Sequence, residues 1–148
     1  MKAKIYWRQT DLSTFRYGSD VQFRKGVVYF KNLLIPAGEA IHRWDSKTHY
    51  QRDRKQPMLP LLFRNRHYQI HLEAEIVPED TVYVKLEYYD RSDKMIKSEI
   101  LRGKTAQFTY PNEAYSYSIQ LFNASVTELA FRYIEISSIY ATPLVTKE

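Results

Sequence analysis

His42, Asp45 and Ser46 carry an imidazole, a carboxylate and a hydroxyl, the three groups of a serine hydrolase triad. Their spacing opposes that chemistry. On a strand, His42, Trp44 and Ser46 face one side while Arg43 and Asp45 face the other. A triad needs the acid behind the imidazole and the hydroxyl in front of it. No Gly-x-Ser-x-Gly elbow is available to present a nucleophile. A packed Trp44 beside a hydrogen-bonded His42 fits the spacing better. The remaining histidines are His49, His67 and His71. Zinc requires three or four ligands converging about 2.0–2.1 Å from the ion. On a strand, the Cα atoms of His67 and His71 stand about 13 Å apart, too far to chelate one metal. Asp90-Arg91-Ser92-Asp93 is a weak calcium candidate and reads better as a turn. Asn123-Ala124-Ser125 matches the N-glycosylation sequon, which a turn also explains. No metal or cofactor is expected.

Stacking chemistry is better represented. Tyr, Phe and Trp make up 15% of the residues, enough to supply exposed rings as well as a core. Tyr83 and Tyr89 share the polar face of a predicted strand with Lys85 and Glu87, a layout suited to a sugar or a protein ligand. The competing reading is that Tyr is simply favoured in strands and tolerates partial exposure. Basic residues are concentrated at Lys47, Arg52, Arg54 and Lys55, opposed there only by Asp53. They lie in the long tract from Asn32 to Leu62, where turn signals are sparse. A connection of that length in a compact domain is usually functional or disordered. Its Leu59-Pro60-Leu61-Leu62 anchor and its aromatics argue for order. The candidate partner- or glycan-binding residues are therefore His42, Trp44, Tyr50, Arg52, Arg54, Tyr83 and Tyr89, with core packing the competing role for Trp44.

The elements that must position these residues alternate with period two. Tyr68, Ile70, Leu72, Ala74 and Ile76 alternate with polar neighbours. Val82, Val84, Leu86 and Tyr88 do the same. Tyr115, Tyr117, Ile119 and Leu121 alternate with Ser116, Ser118 and Gln120, followed by Phe122. Such runs suit sheets with one face on a core. Arg24-Lys25-Gly26, Asp90–Asp93, Arg102-Gly103-Lys104, Pro111-Asn112-Glu113 and Asn123-Ala124-Ser125 break the runs and suggest antiparallel hairpins. Between Glu128 and Tyr140 the pattern changes phase, from Leu129, Phe131 and Tyr133 to Ile134 and Ile136. A bulge would keep both sets inward. No segment has a helical stripe. Eight to ten strands in one domain, residues 1–148, predict an all-β, two-sheet antiparallel β-sandwich or jelly roll.

A chain of 148 residues can bury roughly 70% of its unfolded surface, so it needs no staple. It has no cysteine, which removes thiol catalysis, thiolate zinc and iron–sulfur clusters. No signal-peptide core or apolar run of membrane-spanning length is seen, so a soluble protein is expected. The net charge of +5 is uneven: residues 1–74 hold 14 Lys/Arg and 6 Asp/Glu, residues 75–148 hold 8 and 11. The acidic second half argues against a continuous nucleic-acid channel.

Particular motifs carry a family resemblance. They are Tyr6-Trp7, Tyr17-Gly18-Ser19, Asn32, Pro36-Ala37-Gly38, Ile41-His42-Arg43-Trp44-Asp45-Ser46, Tyr50, Leu59-Pro60-Leu61-Leu62, Tyr68, Pro78 and Tyr89-Asp90-Arg91. In the second half they are Phe108-Thr109-Tyr110-Pro111, Ala114-Tyr115-Ser116-Tyr117, Ile119-Gln120-Leu121 and Phe131. The Ile-His-x-Trp-x-Ser element followed by Leu-Pro-x-Leu is the most specific. From Tyr6 to about Ile136 the chain resembles the third accessory secretory protein of the Gram-positive accessory Sec system. One departure is Ala124-Ser125, where the family pattern has a small residue and then Gly.

The resemblance implies a β-sandwich like a carbohydrate-binding module and a non-enzymatic, cytoplasmic subunit, peripheral to the membrane through its export complex. The implied partners are the first and second accessory secretory proteins, the accessory Sec ATPase and a serine-rich-repeat adhesin preprotein with its glycans. The implied role is to support export of that adhesin. A stand-alone carbohydrate-binding module or lectin is the alternative.

Overall fold

In the computed structural model of the chain, residues 1–8, 18–32, 35–46 and 59–139 are described. Every regular element among them is a strand: β1 (Lys2–Ile5), β2 (Asp20–Arg24), β3 (Val27–Lys31), β4 (Ala40–Asp45), β5 (His67–Val77), β6 (Val82–Tyr89), β7 (Met95–Leu101), β8 (Thr105–Thr109), β9 (Ser116–Asn123) and β10 (Glu128–Ile139). They form two sheets. One runs β2-β3-β10-β5-β8, with β1 also pairing β10; the other runs β4-β9-β6-β7. All pairings are antiparallel. This is the two-sheet antiparallel sandwich that the alternation predicts.

The core lies between the sheets. In β5, Tyr68, Ile70, Leu72 and Ala74 are buried; in β6, Val82, Val84, Leu86 and Tyr88 are buried. The β10 phase change is a bulge between Phe131 and Tyr133. It lets Leu129, Phe131, Ile134 and Ile136 all point inward and turns Tyr133 out, where Lys4 Nζ sits 4.6 Å from its ring centre. The bulge also divides the free edge of β10: β3 pairs residues before it and β1 pairs residues after it.

Trp7, Trp44, Phe30, Phe131 and His42 form the aromatic centre. His42 stacks on Trp7 at 4.6 Å and meets Trp44 edge-on at 4.5 Å. Trp44 stacks on Phe131 at 5.6 Å. Its indole N–H donates to the Tyr6 carbonyl at 3.0 Å. A buried indole usually requires such an acceptor, and the residue just past β1 supplies it, while Ile5 at the end of β1 is buried in the core.

The predicted hairpins are realised at two places. Arg24-Lys25-Gly26 joins β2 to β3, with positive φ at Lys25 and Gly26 (49° and 79°), as a tight twisted turn requires. Asp90–Asp93 joins β6 to β7, and Asp90 Oδ1 accepts the Ser92 and Lys94 backbone N–H groups at 2.8 and 3.0 Å. The other three breaks do not close hairpins. Arg102-Gly103-Lys104, Pro111-Asn112-Glu113 and Asn123-Ala124-Ser125 each carry the chain from one sheet to the other. A local turn signal marks where a strand stops; which sheet receives the next strand depends on core packing.

At the last of these crossings Asn123 is buried. Its amide donates to the Ile35 and Pro36 carbonyls at 3.1 and 3.0 Å, and its Oδ1 accepts the Val126 N–H at 2.8 Å. The sequon is thus a structural clamp. Ser125, next but one along the chain, has φ +78°.

Candidate functional site

The outer face of the four-stranded sheet gathers polar and aromatic side chains. It is built by three neighbouring strands: β4 contributes Arg43 and Asp45, β9 contributes Ser118, Gln120 and Phe122, and β6 contributes Tyr83, Lys85, Glu87 and Tyr89. The register places Glu87 opposite Ser118, Lys85 opposite Gln120 and Tyr83 opposite Phe122, while Arg43 lies opposite Gln120 and Asp45 opposite Ser118. Their side chains share one face because residues two apart on a strand point the same way.

Glu87 is the hub. Its Oε1 accepts the Tyr89 hydroxyl at 2.6 Å and the Gln120 amide at 2.7 Å. Lys85 Nζ lies 3.3 Å from its other oxygen, and Arg43 Nη1 lies 3.8 Å from Oε1. Arg43 also donates to Asp45 at 2.9 Å and to the Tyr89 hydroxyl at 3.1 Å. Partial burial pushes the Glu87 carboxyl up, but bonds from Tyr89, Lys85 and Gln120 outweigh it and hold the carboxyl below its ordinary value. Burial and the bond to Glu87 push the Tyr89 phenol up, so it stays a neutral donor. Burial alone would lower the Arg43 pKa; Asp45 and Tyr89 reverse that and keep the guanidinium charged.

Beside this network Tyr83 and Phe122 stack at 5.5 Å and 11°. Lys85 lies 5.3 Å over Phe122 and Arg102 lies 5.7 Å over Tyr83. Tyr83 also borders a cleft of about 800 Å³ between the 77–82 and 101–104 connections, with Glu75, Glu79, Asp80, Arg102 and Lys104 on its walls. The face thus offers ring surface for stacking next to an anchored row of donors and acceptors, the chemistry by which a protein surface or a sugar is held.

The structure separates the sequence candidates. Tyr83 and Tyr89 share this outer face, as their spacing predicts. His42 and Trp44 do not reach it. Both are completely buried, with 0% exposure, so neither forms part of an open contact surface. A register irregularity between Ala40 and His42 turns Ile41 and His42 both toward the core. Tyr50, Arg52 and Arg54, with the rest of the basic tract and His49, lie outside the described residues. Asp45 faces away from His42 and pairs with Arg43. Ser46 Oγ accepts the Tyr117 backbone N–H at 2.9 Å. His67 and His71 stand on the other sheet's outer face, each 2.7 Å from a β8 threonine hydroxyl, Thr109 and Thr105.

Arg43, Gln120 and Phe122 belong to the candidate site although the binding candidates read from the sequence do not include them; Arg43 and Gln120 lie within the family motifs. Alternation through Trp44 and Ile119 is the signal that puts them on this face.

Comparison with known proteins decides the family. The model of the accessory Sec secretory system family, accessory secretory protein 3, matches residues 14–138. The chain belongs to that family. It is 38% identical over 146 residues to the accessory Sec system protein of this family from Streptococcus gordonii, covering 92% of each. It is 35% identical over 134 residues to the like-named protein of Staphylococcus aureus (strain NCTC 8325 / PS 47). That match covers 90% of this chain but only 42% of the longer relative. Among solved structures it is similar to a chain in the crystal structure of accessory secretory proteins 1, 2 and 3 of Streptococcus pneumoniae. There the identity is 34% and the TM-score 0.88, covering 93% of this chain and 96% of that one. It also shares its sandwich with the Clostridium thermocellum xylanase 10B CBM22-1–GH10 structure. At 11% identity and a TM-score of 0.56, covering 86% of this chain and 26% of that one, this is a likeness of fold alone.

In this light the family motifs sort by role. Asn32 donates to Ser19 Oγ at 2.9 Å, beside the β2–β3 pair, and in Pro36-Ala37-Gly38 the Gly38 N–H donates to the Asn123 carbonyl at 2.8 Å, ahead of β4. In the Leu-Pro-Leu-Leu element, Leu59 and Leu62 enter the core, and the Pro60 carbonyl accepts the Tyr117 hydroxyl at 2.7 Å. Among the described residues no helix is long and apolar enough to cross a membrane.

Proposed function

We propose that the chain is a non-enzymatic subunit of an accessory Sec export complex. It binds the first and second accessory secretory proteins and presents the glycosylated serine-rich-repeat adhesin preprotein to the accessory Sec ATPase. It works in the cytoplasm, at the membrane periphery through that complex. The observation that carries this reading is the nearly end-to-end likeness, at 34% identity and a TM-score of 0.88, to a chain in the solved complex of accessory secretory proteins 1, 2 and 3. The outer face around Arg43, Glu87, Tyr89 and Tyr83, together with the basic tract that holds Tyr50, Arg52 and Arg54, is the contact surface in this reading. Aromatic and Arg anchors commonly dominate such surfaces. Co-purification with the two sister proteins at low salt tests it. Wild type is expected to co-elute with them, and Tyr83→Ala combined with Arg52→Glu and Arg54→Glu to lose co-elution. Failure of wild type to co-elute would refute the assembly role.

A second reading, a glycan-binding module, is favoured by the stacked Tyr83–Phe122 pair and the neighbouring cleft. Titration calorimetry with N-acetylglucosamine-bearing peptides separates the two. Binding by the isolated chain, lost in Tyr83→Ala, supports a lectin; no heat with wild type supports an adaptor.

A further inference from the structure

Strand β7 departs from the rest of the sandwich. It is the outermost strand of its sheet, and its seven residues, MIKSEIL, bury only the last, Leu101. Met95, Ile96 and Ile100 are 50%, 38% and 48% exposed. A strand with apolar side chains and an open edge is a template for another strand.

The ladder parity says which backbone groups face outward. The Tyr115 N–H donates to the Tyr89 carbonyl at 2.7 Å, so Tyr89 directs its backbone toward β9 and Tyr88 directs its own toward β7. Tyr88, Leu86 and Val84 stand opposite Lys97, Glu99 and Leu101. These three β7 residues therefore spend their backbone groups on β6, and Ser98 and Ile100 turn theirs away.

The sequence of the strand complements its own reverse. In an antiparallel copy centred on Ser98, Ser98 meets Ser98 and Lys97 meets Glu99; Ile96 sits at the register shift opposite Tyr88-Tyr89, so the regular ladder runs from Lys97 to Leu101 and Ile96 meets Ile100 only at its bulged end. Both charge pairs are attractive, and the central pair uses the outward backbone groups. Centring on Lys97 or Glu99 would set like charges opposite each other, which is unfavourable, and would call on backbone groups already bound to β6. Glu99 keeps its 2.6 Å bond from the Tyr88 hydroxyl, since a carboxylate accepts several donors.

We propose that β7 is a self-pairing edge: two copies of this chain join through antiparallel β7–β7 pairing about a twofold axis at Ser98. The charge complementarity of Lys97 and Glu99 across that axis selects a second copy as the occupant. Two short strands cover less than the roughly 1,200–2,000 Å² of a standard interface, so the dimer is expected at about 100 µM rather than at nanomolar concentration.

Sedimentation velocity across a concentration series tests it. Wild type should shift from monomer to dimer. Lys97→Glu and Glu99→Lys should each weaken dimerisation at least about tenfold, and the double exchange should restore it. Ser98→Pro removes an outward N–H without touching the β6 ladder and should leave a folded monomer. The chain has no cysteine, so Ser98→Cys gives a unique cross-linking probe. A hydrogen-bonded antiparallel pair stands about 5.5 Å apart at Cα, within disulfide reach. Oxidation should yield a covalent dimer, whereas Ser92→Cys in the adjacent turn should not. A wild type that stays monomeric to about 300 µM, well above the expected range for so small an interface, overturns the proposal, as does a dimer that persists in Ser98→Pro. If the chain alone stays monomeric but Ser98→Pro abolishes binding of a sister protein, the edge belongs to a strand of that protein and self-pairing is wrong.

Discussion

Replacing Glu87 tests whether the outer face is a connected network or a set of incidental contacts. Glu87→Ala removes the acceptor of the Tyr89 hydroxyl and the Gln120 amide and the partner of Lys85. Hydrogen bonds to a charged group contribute about 1.5–3 kcal/mol each, and solvent reaches part of this site, so the expected loss is about 2–3 kcal/mol in total. For a domain of this size that lowers Tm by roughly 4–10 °C. Glu87→Gln keeps one acceptor oxygen and should lose about half as much. The pH dependence gives a second readout. The fold holds the Glu87 carboxyl below its ordinary 4.5, so its contribution is fully present above that value and disappears as pH falls through the lower, folded one. The gap between wild type and Glu87→Gln should therefore be widest near neutrality and close in acid. Thermal melts followed by circular dichroism at several pH values measure both effects. Equal Tm values near neutral pH, or a gap that does not narrow in acid, would refute the network.

Two further outcomes are expected. Ser125→Gly relieves a side chain held at φ +78°. The left-handed conformation costs a non-glycine residue about 1–2 kcal/mol, and glycine's extra chain entropy returns about 0.5–1 of that, so the variant should melt a few degrees higher; a lower Tm would contradict the assigned backbone. Burial pushes the Tyr110 phenol up to about 12 and the phenols of Tyr88 and Tyr117 further up. These groups stabilise the fold below the ordinary tyrosine pKa, and stability should fall as pH rises above about 10 because the unfolded chain ionises there first. Absorbance titration should show the three phenols ionising together with unfolding, and their smooth titration in a folded protein would count against the buried placement.

The sandwich is legible in the sequence because its strands have one wet face. In β5 and β6 each apolar residue of the alternation is buried or packed against the core, and Lys85 and Glu87 flag the face that carries Tyr83 and Tyr89. The β10 bulge is legible from its phase change for the same reason. Alternation says nothing about which sheet a strand joins, so the crossings after β7, β8 and β9 look like hairpins. It also fails at an irregular step: Ile41 and His42 are adjacent yet both inward, and residue type alone offers His42 and Trp44 as surface candidates. Strand β1 alternates over only four residues, Lys2-Ala3-Lys4-Ile5, too few to announce a strand, and its order comes from pairing with β10. The network around Glu87 joins residues far apart in the chain, such as Arg43 and Tyr89, and only the β4–β9–β6 register brings them together.

The clamp made by Asn123 has an outcome in the life of the chain. An oligosaccharyl transferase needs the acceptor amide free and extended, whereas the fold withdraws that amide beneath the Ile35-Pro36 carbonyls. Modification and maturation are thereby mutually exclusive at this position. A sugar could be attached only before the polypeptide closes, and a polypeptide so decorated could no longer close, so a glycan on Asn123 would label molecules that never matured.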